Sequence, residues 1–283
     1  MSQSVAKHLL DLQEIPTLPL VATKIIQMTN DPRSSASDLQ NLISHDPAIA
    51  AKVLKLANSA FYGLPGKVSN LNRAVTLLGF NTVRSLALSI SVIEAFPGGS
   101  ATPHFNRALF WEHSLAVAEG ARILAARSCP ELKDEAHMAG LFHDIGKIVM
   151  DQCFSEYFTS AMRLAYENRI STSDAEMTIM KVDHAELGAQ VAEKWNFPSS
   201  LVEVIRYHHA ISFSTETPLV GIVALADDLC MEWGFGDTGE SVKAVPPPSL
   251  LALHCGSDIQ LSILQTKLEA EVEKSAELLS LLH

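Results

Sequence analysis

Two side chains able to bind a cation stand next to each other in an apolar stretch, His143 and Asp144 within Gly140-Leu141-Phe142-His143-Asp144-Ile145-Gly146-Lys147. A neutral imidazole and a carboxylate both suit borderline or hard divalent cations. Burying either without a partner is costly, about 2 to 7 kcal/mol even for an uncharged polar group. Helical spacing sets Lys147 four residues after His143 and three after Asp144, so an ammonium would share that face and could meet a phosphate. A lone His-Asp pair reads most simply as a helix cap beside a hydrogen-bonded core histidine. Here His113, His184, His208, His209 and Asp227 each lie in or beside an apolar helical pattern of their own. Ligands from separate helices can then converge, as they do in metal sites at the cores of helical bundles.

The chain around these residues can bury a substantial core. It has 283 residues, 47% of them hydrophobic, enough for one large or two modest domains. Its 21 basic and 32 acidic side chains give a formal charge of -11, which argues against a generic binder of phosphate backbones and so against nucleic acid as partner. Residues 1–14 carry Lys7, Asp11 and Glu14 and lack the pattern of a secretory signal. No apolar run approaches the roughly 20 residues that span a bilayer, so no membrane partner is expected and the protein is expected to be soluble and cytoplasmic. Cys129, Cys153, Cys230 and Cys255 are widely spaced, with no Cys-x-x-Cys pair, and read as reduced thiols.

The elements that must position the ligands read as helices throughout. Val21, Ile25, Ile26 and Met28 mark a first apolar face. Ser37 is expected to cap a second helix, Asp46-Pro47 to open a third, Ser69 a fourth that ends at Gly79, and Thr82 a fifth that stops at Pro97-Gly98-Gly99-Ser100. His45-Asp46 repeats the central dipeptide, but Pro47 follows at once, and we read it as a cap. Beyond Pro103 the pattern predicts a helix over 108–126 carrying His113, a single helix over 134–150 carrying the central pair and His137, and another over 154–166. Asp183 then caps a helix that begins at His184. Further helices run over 201–209, ending in His208-His209, and over 219–233, carrying Asp227-Asp228. Residues 234–248 read as a weakly ordered loop with a bend at Pro246-Pro247-Pro248, and 258–282 as a last helix. The predicted organisation is all-α, a helical subdomain over 1–100 followed by a helical metal-site domain over 104–283.

The series His113, His143-Asp144, Asp227 resembles the HD superfamily of metal-dependent phosphohydrolases, in which a first His, the His-Asp pair and a distant Asp hold a cation. In members with two metals, extra histidines bind a second cation; His184, His208 and His209 occupy that interval here. Leu18-Pro19, Ile43-Ser44-His45-Asp46-Pro47, Leu56-Ala57-Asn58-Ser59-Ala60-Phe61-Tyr62-Gly63, Val83-Arg84-Ser85-Leu86 and Asp183-His184-Ala185-Glu186-Leu187-Gly188 are similar to the bacterial HDOD domain over residues 15–210. That resemblance implies an HD-like helical bundle preceded by a smaller helical subdomain, acting as a signalling module with a protein partner or a nucleotide ligand. The helix over 258–282 is expected to pack on the bundle or, in the sharper reading, to offer a surface for a homodimer. The resemblance also implies one or two divalent ions, with iron, manganese, zinc and nickel all compatible with these ligands. Were the chain a hydrolase, Asp144 and Lys147 would serve the reaction at a phosphoester. The Gly-Tyr-Pro signature of cyclic-di-GMP phosphodiesterases is missing after His208-His209, which disfavours that substrate. Asp227 and Asp228 both remain open as the last ligand.

Overall fold

The computed structural model describes residues 15–31, 33–59, 64, 66–96, 102–210, 217–242, 246, 248, 251 and 258–280. Among them every regular element is helical. In chain order these are α1 (Leu20–Asn30), α2 (Ala36–Ser44), α3 (Pro47–Ala57), α4 (Leu71–Leu78), α5 (Phe80–Ala95), α6 (Arg107–Ser128), α7 (Lys133–Phe142), α8 (Ile145–Cys153), α9 (Ser155–Asn168), α10 (Thr172–Ile179), α11 (His184–Lys194), α12 (Ser199–Tyr207), α13 (Pro218–Trp233) and α14 (Asp258–Ser280). No single described helix is long and apolar enough to cross a membrane.

The chain divides into two compact units, with the break at 97/98. The smaller takes Thr17–Pro97, Trp195–Pro198 and Glu273–His283, and the larger takes Met1–Pro16, Gly98–Lys194 and Ser199–Val272.

In the smaller unit α1 to α5 bury Ile25, Ile26, Leu39, Ile43, Leu56, Leu88 and Ile90. The caps follow local chemistry. Ser35 and Asp38 close a capping box at α2, where the sequence had suggested Ser37, and Asn70, not Ser69, accepts the Arg73 N–H at α4. In both cases the neighbouring polar residue has the extended backbone that a cap requires. Asp46 accepts from Ala48 and Ile49, as a capping residue should. Helix α5 begins at Phe80, directly after the left-handed Gly79, and not at Thr82. Asn58 is tied to Val68 in both directions, its Nδ2 donating to Val68 O at 2.8 Å and its Oδ1 accepting from Val68 N at 2.7 Å. The motif residues Ala60 to Gly63 lie outside the described residues.

In the larger unit α6 is the central rod, packed on α7 and α13. Asn106 caps it, accepting from Ala108 and Leu109. Helix α11 lies against α8 and α12, and α9 pairs with α10. Phe110, Phe142 and Phe158 are fully buried. The stretch expected as one helix over 134–150 is two: α7 ends at Phe142 and α8 begins at Ile145. Asp144 takes φ -101° and ψ 14°, and this turn interrupts the helix at the central pair. Adjacent residues of an unbroken helix point about 100° apart. The break lets His143 and Asp144 both face inward.

The expectation of weak order after α13 does not hold for its described part. Asp237 N donates to Leu109 O at 3.1 Å. Ser241 Oγ donates to Ile170 O at 2.7 Å, and Glu240 accepts from Thr172 N and Oγ1. Polar residues in a Gly-rich stretch read as loop, but here their hydrogen bonds fasten the segment to α6, α9 and α10.

Candidate metal centre

Seven side chains from five places in the larger unit form two adjacent clusters. Asp144, His184, His208 and His209 make one, and His113, His143 and Asp227 the other, with the ligand atoms of each cluster within 4.8 Å of one another. Six of the seven are buried, and His209 alone is exposed. Helix α6 supplies His113, the α7–α8 break supplies His143 and Asp144, the first residue of α11 is His184, the turn after α12 holds His208 and His209, and α13 carries Asp227.

Each buried imidazole is held by its Nδ1. His113 Nδ1 lies 3.0 Å from Phe235 O, His143 Nδ1 2.7 Å from Gly140 O, and His208 Nδ1 2.8 Å from Ile205 O. His184 Nδ1 lies 2.7 Å from Glu176 Oε2. Since a carbonyl or carboxylate oxygen only accepts, Nδ1 must be the protonated nitrogen, and Nε2 faces the cluster. Metal-binding histidines are oriented in this way.

The inward atoms crowd one another. His113 Nε2 is 2.9 Å from Asp227 Oδ1, while His184 Nε2 and His208 Nε2 are 3.1 and 3.2 Å from Asp144 Oδ1. His184 Nε2 is also 3.0 Å from His209 Nε2. His143 Nε2 is buried with no hydrogen-bond partner, 3.6 Å from Asp227 Oδ1 and 3.7 Å from Asp144 Oδ2. A buried nitrogen lone pair directed between two carboxylates is costly unless a proton or a cation meets it. The donor set, imidazole nitrogen with carboxylate oxygen, fits a divalent transition metal.

The surrounding charges hold both carboxylates ionised. Burial would raise the Asp144 pKa, but Lys147, His184 and His143 hold it well below the ordinary carboxylate value. Asp227 is likewise held well below by His143 and His113 in spite of its burial. Burial disfavours the His184 imidazolium, yet the Glu176 charge lifts its pKa to about 10. Burial lowers His208, aided by the neighbouring His143 and His184, and leaves it the neutral form a metal requires.

Lys147 is placed by the α8 start. Its Nζ is 2.8 Å from Asp144 Oδ2, both side chains 2% exposed. The ammonium therefore serves Asp144 in a dry interior and does not present itself to solvent. Gly146 makes the approach of α8 to α11 possible, because a Cβ there would lie 2.0 Å from His184 O. Asp227 is the member of the cluster. Asp228 is outside it, and burial together with the charges of Asp227 and Glu232 pushes its carboxyl up to about 7. His137 pairs with Glu119 at 3.1 Å and belongs to neither cluster.

Sequence reasoning missed Glu176, Phe235, Gly236 and Glu240. Glu176 is fully buried on α10 and accepts both the backbone N–H of His184 and its Nδ1–H. An acidic residue one step after the buried Ala175 was the available signal. Phe235 acts through its carbonyl, which side-chain type cannot reveal.

An all-helical bundle with histidines and aspartates converging from separate helices defines the class. Residues 15–211 match the family described as HDOD domain, and the chain belongs to that family. The structure is similar over its whole length to an HDOD domain protein of unknown function from Geobacter sulfurreducens, with TM-score 0.81, 25% identity and 98% of that chain covered. It also resembles a candidate phosphohydrolase from Shewanella amazonensis SB2B, with TM-score 0.77, 27% identity, and 97% and 98% of the two chains covered. A Treponema pallidum (strain Nichols) protein called uncharacterized is 27% identical over 267 residues, 92% of this chain and 51% of the relative. The chain thus spans about half the length of that curated relative.

Proposed function

We propose that this chain is an HDOD signalling module whose larger unit holds one or two divalent transition-metal ions. His113, His143 and Asp227 would hold one, and Asp144, His184, His208 and His209 the other. The reading is carried by one observation, the four buried imidazoles each fixed at Nδ1 with Nε2 turned toward carboxylate oxygens. A regulatory role is favoured over turnover because Lys147, the cation nearest the clusters, is already paired with Asp144 and buried. Output would pass to a protein partner or respond to a nucleotide.

A second reading, hydrolysis of a phosphoester, is favoured by the three-ligand cluster. Three protein ligands leave a position on the metal, the pattern of reactive rather than structural sites. A metal there would lower the pKa of a bound water and polarise a phosphoryl oxygen. Phe235 O accepts from His113 Nδ1 and would keep that ring aligned with Nε2 toward the ion, while the buried walls exclude bulk water.

Metal-loaded protein assayed with bis-p-nitrophenyl phosphate and a panel of nucleotides separates the two. The regulatory reading predicts no turnover, together with metal-dependent change in hydrogen exchange over residues 17–97. Turnover abolished by Asp227→Ala would establish hydrolysis instead.

A further inference from the structure

We propose that residues 235–241 are a positioning strap that supports both ligand clusters and couples their affinities. The segment reaches the three-ligand cluster through its backbone: Phe235 O accepts from His113 Nδ1 at 3.0 Å, and Asp237 N donates to Leu109 O, one turn earlier on α6. Gly236 makes this contact possible. It has φ +69°, and a Cβ there would lie 2.4 Å from both His113 N and Leu109 O.

The same segment reaches the four-ligand cluster at its other end. Glu240 accepts from Thr172 N with both carboxylate oxygens at 3.1 Å and from Thr172 Oγ1 at 2.7 Å. Thr172 begins α10, and one turn later Glu176 holds the backbone N and Nδ1 of His184. Glu240 therefore fixes the helix that fixes the ligand. One residue beyond Glu240, Ser241 Oγ fastens the segment to Ala165 O and Ile170 O.

Neither Phe235 nor Glu240 is a ligand, so each is a positioning residue. Groups one step behind metal ligands typically change affinity by about 10- to 100-fold when removed. Because one short segment carries supports for both clusters, an ion bound in either should order the segment and raise affinity in the other.

The inference rests on the metal reading above, and the test separates the two. Cobalt(II) is titrated into metal-free full-length protein, following d–d absorption and heat, for wild type, Glu240→Ala and Glu240→Gln. Glu240→Ala should weaken the four-ligand cluster about tenfold, and Glu240→Gln, whose amide oxygen still accepts from Thr172, should recover most of the loss. A purely structural role would lower the melting temperature of the metal-free chain and leave affinity and spectrum as they were, which would overturn the assignment. In an Asp227→Ala background, where the four-ligand cluster alone remains, adding Gly236→Ala should still weaken cobalt binding; unchanged binding would refute the coupling. No uptake by wild type would sink the metal reading itself, and the coupling with it.

Discussion

Lys147→Met isolates the part played by the buried ammonium. Methionine keeps the length of the stem and its packing, so little cavity cost is added. What is lost is the 2.8 Å contact to Asp144 Oδ2, between side chains each 2% exposed. Breaking a buried pair from one side costs about 3–5 kcal/mol, because the remaining charge stays buried. His184 and His208 also approach Asp144 Oδ1, which places the expected loss in the metal-free protein at the lower end, about 3 kcal/mol. A bound cation would take over the neutralisation of Asp144, so saturating metal should return about half of it. The assay is urea unfolding with and without metal, read from the midpoint at constant slope. A loss below about 1 kcal/mol, the range of an exposed pair, would refute the buried-pair account. A loss identical with and without metal would show that no cation reaches Asp144.

Glu176→Gln should weaken the four-ligand cluster about 10- to 100-fold and reach the three-ligand cluster only through the coupling, as a smaller loss, measured by cobalt titration. Asp228→Ala should retain the full metal content that Asp227→Ala loses, by elemental analysis of both variants. The His184 pKa of the metal-free fold, about 10, lies above its unfolded value of 6.5. Its contribution is therefore fully present below 6.5 and is lost as pH rises through about 10, so metal-free stability should decline across that window and the decline should flatten in Glu176→Gln. A pH-stability curve rising over the same range in the wild type would contradict this. Gly146→Ala places a methyl 2.0 Å from His184 O and should strip metal from the four-ligand cluster as α8 and α11 separate; normal loading would refute the close-approach argument.

Much of this was readable in the chain because polar side chains set in apolar helices leave a strong signature. A His or Asp amid Leu, Val and Ala, as at His113, His143 and Asp227, is conspicuous, and the helical period placed each on its own element. What failed was local. The 134–150 stretch reads as one helix because every residue in it tolerates helix, and the turn at His143-Asp144 sits where α8 packs closely on α11, a long-range contact that no local rule records. Capping residues shifted by one or two positions among neighbouring polar residues, as at Ser35 for Ser37. The supports of the site were the least visible, since Phe235 contributes a carbonyl, and Glu176 and Glu240 lie 8 and 68 residues from the groups they hold.

The central claim is that the two clusters bind metal. Elemental mass spectrometry of untagged full-length protein, purified without chelator and reconstituted with manganese, iron, nickel or zinc, tests it most directly beside Asp144→Ala and Asp227→Ala. The account predicts up to two ions per wild-type chain, with the ion of the four-ligand cluster lost in the first variant and that of the three-ligand cluster in the second. A wild type that takes up no metal, or variants that bind as much as it does, would contradict it.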